Sequence, residues 1–497
     1  MTDIHTPRDE HRTTGRKLVV LSPTVNIAAM ASALEAVGME VVMASQYGGA
    51  VPPEKMLTAD AVVFDRLQTM VVADPSPAAL AVMAELQARG VILSVEDEGY
   101  VHAISAPALQ SSQREYLDGY RAGVNGLIDH LLSGGAPAAT EGYTREARAR
   151  GESLSGVREE RPGQELHEPG TRPLGQGNVT WGLNAIGVEA SPFTGRGIRV
   201  AVLDTGLDLR HPDFRGRKVV HQSFVPGETV QDQAGHGTHT AGTACGPQAS
   251  AQGPRYGVAY EADLYIGKVL GGPQGSGADG WIMNGINWAL VNGCRVISMS
   301  LGSQRPPVEA YRALGERALN QGAIIVAAAG NASRRSRGDI QYTGAPANSG
   351  TILSVAALDS NLQVADFSNG GKIDIAAPGV NVHSSWPLPQ GYNTISGTSM
   401  ATPHVAGVLA LLMQADPHAS APDIWRRLQR MGRRLNAPAS DVGFGLVQAP
   451  VSARTEQEEP IGKQKASAPS SSPAQSEGPI MERGGAQFRS PRESDTR

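Results

Sequence analysis

The chain has 497 residues, of which 40% are hydrophobic and 18% charged, and its formal net charge is −5. This length is enough for two to three domains with cores of ordinary size. The nearly balanced charge gives no electrostatic reason to expect nucleic acid or an anionic membrane surface as a partner, and no apolar run reaches the roughly 20 residues that span a bilayer. Two cysteines, Cys245 and Cys294, exclude a disulfide framework and a multi-cysteine zinc site.

Residues 1–16 form a polar, charged leader. They lack the apolar core and the small-residue cleavage site of a secretory signal. We therefore interpret the sequence as that of a cytoplasmic protein. Secretion stays open, because a different start codon would add residues ahead of these.

Residues 17–104 alternate apolar runs with helical periodicity. In chain order they predict a strand in KLVVLS, a helix in NIAAMASALEAVG, strands in MEVVMA and ADAVVFD, a helix capped by Ser76 in SPAALAVMAELQARG, and a strand in VILSVE. The order β-α-β-β-α-β describes a small two-layer α/β domain.

Three further zones follow. Residues 105–175 predict a helix, SQREYLDGYRAGVNGLIDHLL, and then a flexible charged linker that is nearly free of aliphatic residues. Residues 176–450 alternate Val/Ile/Ala runs with helical patterns, which predicts an α/β domain with a mostly parallel sheet flanked by helices. Residues 451–497 have the low-complexity composition of a disordered tail.

Two polar motifs occur early in the zone of residues 176–450. In GIRVAVLDTGLDLRHPDF, Asp204 ends a buried-strand pattern, at the edge where open parallel sheets build their sites. Its carboxylate either orients another group or caps a turn. In DQAGHGTHTAGTACG, His236 and His239 lie three apart on one helix face, without the glutamate of a zinc-protease helix or an evident third ligand. For one histidine alone, a structural role is the simpler interpretation.

Two later motifs supply the remaining parts of a candidate site. AIIVAAAGNAS places Asn331 after an apolar strand, where its amide either donates into a site or serves a turn. In ISGTSMATPHVAGVLALLM, Ser396 and Ser399 are equal candidates for a nucleophile, and a capping turn also explains them. Ser399 at a helix N-terminus would have the positive end of the helix dipole beside it. Nucleophile, base, orienting carboxylate and oxyanion donors together predict acyl transfer.

In this order, the motifs resemble those of the subtilisin-like (subtilase) serine protease family over nearly all of residues 176–450. The matching stretches are VAVLDTGLDLRHPDF, GHGTHTAGT, GVAYEADLYIGKVL, VISMSLGS, IIVAAAGN, DIAAPGV and GTSMATPHVAG. The chain order Asp, His, Ser is that of subtilisin. The resemblance implies a serine endopeptidase that works through an acyl-enzyme.

The resemblance also assigns roles to single residues. Ser399 would be the nucleophile, His236 the general base and then acid, and Asp204 the carboxylate that orients His236. Asn331 would be the side-chain oxyanion donor, together with the backbone N–H of Ser399. His239 would be structural.

Substrate in this family lies as an extended strand between two enzyme segments. Here these segments would be Ser276-Gly277-Ala278 and Ser300-Leu301-Gly302. Ala328 and Gly330, in the stretch ending at Asn331, would belong to one wall of the primary pocket. Gly344 would form its floor and leave room for a large apolar side chain.

The match to the family is incomplete at Asp279 and in the loop that should complete a calcium site with Asp213. Asp279 stands where many relatives carry an aromatic residue of the fourth subsite, which allows either a preference for a basic or polar substrate residue or a solvated loop aspartate. Asp213 matches a calcium ligand, but GPQASAQGPRYG does not resemble the segment that completes that site. Since calcium takes six to eight oxygens, one carboxylate cannot hold it. We therefore expect that no cofactor is required and that calcium is doubtful.

The first domain, residues 17–104, resembles the inhibitor-like propeptide of subtilases, and VEDEGYVHA resembles the segment that leads into their cleft. This implies a self-inhibited precursor whose N-terminal domain is an intramolecular inhibitor. An unrelated accessory domain is the alternative, and the processing site is left open. The alternatives for the whole chain are a maturation protease dedicated to one partner peptide, and a non-catalytic subtilase-fold binding module.

Overall fold

The computed structural model describes residues 13–73, 75–104 and 178–452. The predicted helix and linker of residues 105–175, most of the predicted leader and nearly all of the predicted tail lie outside these ranges. None of the helices in the described ranges is both long and apolar enough to cross a membrane.

The N-terminal domain is one sheet with helices against it. Its elements are β1 (Thr13–Leu21), α1 (Ile27–Glu35), β2 (Val41–Met43), α2 (Pro53–Thr58), β3 (Ala61–Phe64), β4 (Thr69–Val72), α3 (Pro77–Ala88) and β5 (Ile92–Ala103). The strand order is β5-β1-β4-β3-β2. The pair β2–β3 is parallel and the other neighbours are antiparallel.

The prediction for this domain needs three corrections. β1 begins at Thr13, inside the predicted polar leader, because its exposed first residues pair with β5. The short helix α2 was missed, although Pro53 at its first position is typical of a helix start. The buried strand β4 was also missed, because its four residues follow a tight turn at Gln68, whose φ is 46°. The predicted cap of α3 is confirmed, since Ser76 accepts a hydrogen bond from Ala79 N at 3.2 Å.

A parallel sheet forms the centre of the second domain. Its strands are β6 (Arg199–Asp204), β7 (Val219–Ser223), β8 (Asp263–Lys268), β10 (Val296–Met299), β12 (Ile324–Ala328), β13 (Leu353–Leu358) and β14 (Ile375–Pro378). Their order is β14-β13-β12-β10-β6-β8-β7, and every neighbouring pair is parallel. This confirms the predicted α/β fold class.

Helices cover both faces of this sheet. They are α4 (Trp181–Ala185), α5 (His236–Cys245), α6 (Asp279–Val291), α7 (Glu309–Asn320), α8 (Thr398–Ala415), α9 (Ala421–Met431) and α10 (Ala439–Val442). Alternate residues of a strand belong to different apolar clusters: Val200 and Val202 pack with α5 and α8, whereas Ala201 and Leu203 pack with α6 and α7. Burial on both faces explains why these strands have continuous apolar runs.

Four short strands remain in the second domain, and two of them join it to the first. β9 (Ser276–Ala278) and β11 (Leu301–Gly302) both pair antiparallel with β5, which leaves its own domain and runs between them. β15 (Val382–Ser385) and β16 (Tyr392–Ile395) form a separate hairpin. The last residues of the N-terminal domain therefore lie across the carboxyl edge of the parallel sheet.

Candidate active site

Asp204 and His236 are brought together at the edge of the parallel sheet. Asp204 ends β6, and His236 is the first residue of α5. His236 Nδ1 lies 2.7 Å from Asp204 Oδ1, and both residues are buried. Since an ionised carboxylate only accepts hydrogen bonds, Nδ1–H is the donor. This contact holds the ring in one orientation, with Nε2 available for another partner.

A second buried carboxylate, which the sequence analysis missed, supports the start of α5. Asp232 Oδ1 accepts hydrogen bonds from the backbone N–H groups of Ala234 and Gly235, and Oδ2 accepts from Thr238 N at 2.8 Å. Thr205 Oγ1 donates to Asp232 Oδ1 at 2.9 Å. A negative charge at a helix N-terminus is stabilising, and here it also fixes the turn before His236. The available signal was the aspartate four residues before that histidine.

Ser399 is the second residue of α8 and is fully buried. Its Oγ donates to Ser300 O at 3.0 Å, and Ser300 Oγ donates to Ser399 O at 2.7 Å. No hydrogen bond joins Ser399 to His236 in the part of the chain that is described. The serine and the imidazole of the candidate site therefore have separate hydrogen-bond partners in this state.

Pro403 lies in the second turn of α8. The helix begins at Thr398, so Pro403 is its sixth residue and lacks an N–H that would bond to the carbonyl of Ser399, four residues earlier. Ser300 Oγ donates a hydrogen bond to that carbonyl instead. A side chain of one predicted substrate-binding segment thus replaces a helix hydrogen bond at the candidate nucleophile.

Asn331 points its amide nitrogen at a carbonyl group of the N-terminal domain. Asn331 Nδ2 donates to Ile104 O at 3.1 Å. Its Oδ1 accepts from Thr398 N at 2.9 Å and from Thr398 Oγ1 at 2.8 Å, which fixes the orientation of the amide. Thr398 Oγ1 in turn accepts from Gly330 N at 3.1 Å. Thr398 therefore positions Asn331. The sequence motifs did not predict this role.

The predicted substrate-binding segments hold β5 in an antiparallel register. Ser276, Gly277 and Ala278 lie opposite His102, Val101 and Tyr100, in that order. Leu301 and Gly302 lie opposite Ala103 and His102. Ile104 N donates to Ser300 O at 3.4 Å. A strand of the protein itself occupies the position that the resemblance implies for substrate.

Gly302, one of the predicted substrate-binding residues, lies against the side chain of Ile104. A Cβ at Gly302 would lie 2.9 Å from Ile104 Cδ1, so this glycine makes room for the isoleucine side chain. Gly330 has a φ of 115°, and a Cβ there would lie 2.3 Å from Asn369 Nδ2. Gly344 packs on the backbone of Ser303, and Ala328 ends β12. Roles for Gly344 and Ala328 in the pocket stay predictions.

The pKa values of the two histidines of α5 are shifted in opposite directions. Burial alone lowers the pKa of His236, but the neighbouring Asp204, with smaller contributions from Asp232 and the Ile104 carbonyl, outweighs it and raises the pKa. No hydrogen bond of ordinary geometry reaches His236 Nε2 from the described residues. Burial lowers the pKa of His239 to about 3. His239 Nε2–H donates to Val382 O at 3.0 Å, which suits a neutral, structural imidazole.

Asp279 is neither solvated nor in a loop, so that interpretation was wrong. It is the first residue of α6, is fully buried, and pairs with Arg305 at 2.8 Å. Its charge is balanced by the guanidinium, so it does not provide a free negative charge for a basic substrate residue.

Asp213 does not fit a calcium site. Its Oδ2 accepts hydrogen bonds from Tyr256 Oη at 2.6 Å, Tyr392 Oη at 3.0 Å and Ser250 Oγ at 3.1 Å, and its Oδ1 accepts from Ala251 N at 2.7 Å. These donors occupy the oxygens that a cation would need. Within the described ranges, no group of three or more His, Cys, Asp or Glu residues is arranged to hold a metal ion.

The carboxylate–imidazole pair, the serine at a helix N-terminus and the amide donor aimed at a carbonyl oxygen are parts of an acyl-transfer site, and they indicate the class of serine hydrolases. The comparison with known families agrees: the subtilase family model matches residues 195–446. The chain therefore belongs to the subtilase family.

Individual relatives are proteases by name. Subtilisin Savinase of Lederbergia lenta is 42% identical over 282 residues, which cover 56% of this chain and 99% of the relative. An alkaline protease of Alkalihalobacillus alcalophilus is 42% identical over 282 residues, covering 56% of this chain and 70% of the relative. Subtilisin E of Bacillus subtilis (strain 168) is 40% identical over 259 residues, covering 51% and 65%.

Proposed function

We propose that this subtilisin-like serine endopeptidase uses Ser399, His236 and Asp204 as a catalytic triad and is made as a self-inhibited precursor. The contact that carries the proposal is the hydrogen bond from Asn331 Nδ2 to Ile104 O, because it joins an oxyanion donor to one particular peptide carbonyl. The buried pair of Asp204 and His236 supports the roles of orienting carboxylate and base.

In the proposed reaction, Ser399 Oγ attacks a substrate carbonyl carbon while His236 Nε2 takes its proton. Asn331 and the Ser399 N–H stabilise the oxyanion, His236 then gives the proton to the leaving amine, and water hydrolyses the acyl-enzyme. The Ser399 hydroxyl must first exchange Ser300 O for His236 Nε2 as its acceptor. Protein and peptide substrates follow from the class of enzyme.

The N-terminal domain is the proposed intramolecular inhibitor, and two of its carboxylates support this. Glu98 Oε1 accepts from Gly280 N at 2.8 Å in the first turn of α6. Glu96 accepts from Glu309 N at 3.0 Å and Ala310 N at 3.1 Å in the first turn of α7. Carboxylates at helix N-termini are stabilising, and Glu98 is fully buried.

Apolar and amide contacts extend this interface beyond the cleft. Asn284 in α6 donates from Nδ2 to Val51 O at 2.8 Å and accepts from Val51 N at 3.0 Å. Asn287, one turn further, donates to Gly49 O at 2.9 Å. One apolar cluster contains residues of both domains, including Phe64 and Ile282. An interface of this kind keeps β5 in the cleft.

The register of β5 supports a proposal for the bond that the precursor would cut first. Because Asn331 donates to Ile104 O, the scissile bond is Ile104–Ser105, and Ile104 occupies the primary pocket. Val101, the fourth residue before this bond, is fully buried in the apolar cluster. The proposed preference is therefore for apolar residues at the first and fourth positions before the cut.

The test uses the full-length protein and a Ser399→Ala variant. On incubation, mass spectrometry of the wild type should show separation of the chain between Ile104 and Ser105, and the variant should stay intact. A fluorophosphonate probe should label the processed wild type and not the variant. An intact wild-type chain that takes no label would refute the triad assignment.

A further inference from the structure

A buried charged cluster of Asp279, Arg305 and Tyr311 lies beside the cleft, and the proposed catalytic steps do not use it. Arg305 binds the carboxylate with both terminal nitrogens: Nη2 donates to Oδ1 at 2.8 Å and Nη1 to Oδ2 at 3.0 Å. Tyr311 Oη donates to Oδ1 at 2.8 Å. Asp279 and Tyr311 are fully buried. Such a network is rigid because each of its members is fixed by the others.

The remaining donor to this carboxylate comes from β5. The backbone N–H of Gly99 donates to Asp279 Oδ2 at 2.8 Å. If Ile104 is the first residue before the scissile bond, Gly99 is the sixth. Residues 100–103 of β5 pair with β9 and β11, and Gly99 immediately precedes them. The contact with Asp279 therefore lies outside the part of β5 that these two strands hold.

The guanidinium of Arg305 lies directly over the α-carbon of Gly99. A Cβ at Gly99 would be 2.0 Å from Arg305 Nη1 and 2.9 Å from Cζ. Arg305 is poorly able to move aside, because Asp279 binds two of its nitrogens and Ser303 Oγ accepts a hydrogen bond from Nε at 2.7 Å. Any residue other than glycine at this position must displace a guanidinium that is held by three hydrogen bonds.

We propose that Asp279 and Arg305 form a sixth substrate subsite, which binds the peptide unit of a glycine. The Asp279 carboxylate accepts the peptide N–H, and the Arg305 guanidinium excludes a side chain. The subsite rests on the proposed function, since it counts from the Ile104–Ser105 bond. The substrate class is an extended peptide with glycine at the sixth position and apolar residues at the fourth and first.

The test compares peptides based on the protein's own sequence. The full-length protein, incubated until self-cleavage is complete, is assayed on a fluorogenic amide of EGYVHAI and on versions with alanine or N-methylglycine in place of the glycine. Alanine adds a Cβ, whereas N-methylglycine removes the N–H. Each should lower kcat/KM about tenfold or more: N-methylglycine because it loses a hydrogen bond to a charged group, and alanine because its Cβ must displace the guanidinium. Equal kcat/KM for the three peptides, within twofold, would overturn the subsite.

An Arg305→Ala variant separates the two roles. It should bring the alanine peptide to within twofold of the glycine peptide, while the N-methylglycine peptide stays slow because Asp279 is still present. The tetrapeptide amide of VHAI does not reach the subsite, so its cleavage confirms that the variant is folded. If alanine stays disfavoured in a variant that cleaves VHAI, the role of Arg305 is wrong.

A third arm does not depend on activity and so separates this inference from the proposed function. In full-length Ser399→Ala, Gly99→Ala should speed amide hydrogen exchange of residues 100–103 about tenfold, because the displaced guanidinium loosens β5. Ser94→Ala, in the part of β5 that pairs only with β1, is the matched control and should leave that exchange unchanged. Unchanged exchange in Gly99→Ala would contradict the subsite even if the protein proved inactive.

Discussion

The side-chain amide nitrogen of Asn331 lies 3.1 Å from the carbonyl oxygen of Ile104, the last described residue of the N-terminal domain. Thr398 holds this amide from the other side through two hydrogen bonds to Oδ1. One asparagine therefore connects the helix that carries Ser399 with the strand that occupies the cleft.

Replacing Asn331 by leucine tests this connection. The variant keeps the approximate volume of the side chain but loses the oxyanion donor, so the rate of self-cleavage should fall about 100- to 1,000-fold, the loss typical of removing such a donor in subtilisin itself. The measurement is the appearance of a new N-terminus at Ser105 over time. A Gln304→Leu variant, in a neighbouring loop, is the control and should process at a rate close to that of the wild type. Equal rates in the two variants would contradict the role of Asn331.

The raised pKa of His236 predicts a pH dependence for self-cleavage. Only the neutral imidazole accepts a proton, so the rate should rise with pH through an apparent pKa above the ordinary value of about 6.5. Burial lowers the pKa of His236, and in an Asp204→Asn variant no carboxylate at that position offsets this effect. The residual rate should be much lower, and its apparent pKa should move to lower pH.

This prediction is checked by pH–rate profiles of the two full-length proteins. An Asp204→Asn profile with the same apparent pKa as the wild type would show that the titrating group is not His236.

The hydrogen bond from Ser300 Oγ to the carbonyl of Ser399 should stabilise the protein because Pro403 leaves that carbonyl without a helix partner. In a Ser399→Ala background, which prevents self-cleavage, Ser300→Ala should lower the free energy of unfolding by about 1–3 kcal/mol. Pro403→Ala restores an N–H at that position. In a protein that also carries Pro403→Ala, Ser300→Ala should therefore lower the free energy of unfolding by less.

The double-mutant cycle is measured by chemical denaturation. An effect of Ser300→Ala that is equally large with and without the Pro403→Ala substitution would show that the two groups do not share the carbonyl.

The saturated carboxylate of Asp213 leads us to propose that the loop around it is stable without calcium. A chelator should leave the Tm of the Ser399→Ala protein unchanged, and added calcium should not raise it. Tyr392→Phe removes one donor and should lower the free energy of unfolding by about 1–3 kcal/mol. A Tm that falls by several degrees with the chelator would refute the proposal.

Much of the fold followed from local patterns. The apolar runs before Asp204 and Asn331 predicted parallel strands, because burial on both faces requires continuous apolar residues. The resemblance also predicted two substrate-binding segments, residues 276–278 and 300–302. They contain β9 and β11, which pair with β5, and their role in binding substrate stays a prediction. These features depend on neighbouring residues, so a single chain contains enough information to predict them.

Other features depended on contacts between residues far apart in the chain. The sequence alone suggested a charge preference or solvent exposure for Asp279, whereas Arg305 and Tyr311 bury and neutralise it from other segments. It marked Asp213 as a candidate calcium ligand, whereas in the structure Tyr392, 179 residues away, donates a hydrogen bond to the carboxylate oxygen Oδ2.

The sequence by itself determined the class of the protein and the residues of its candidate triad, because these lie in continuous motifs whose local geometry repeats across the family. Only the tertiary structure decided which bond lies at Asn331, what balances the charge of Asp279 and what supports the helix at Pro403. Each of these depends on which distant polar group fills a buried hydrogen-bonding position, and burial makes an unfilled position costly.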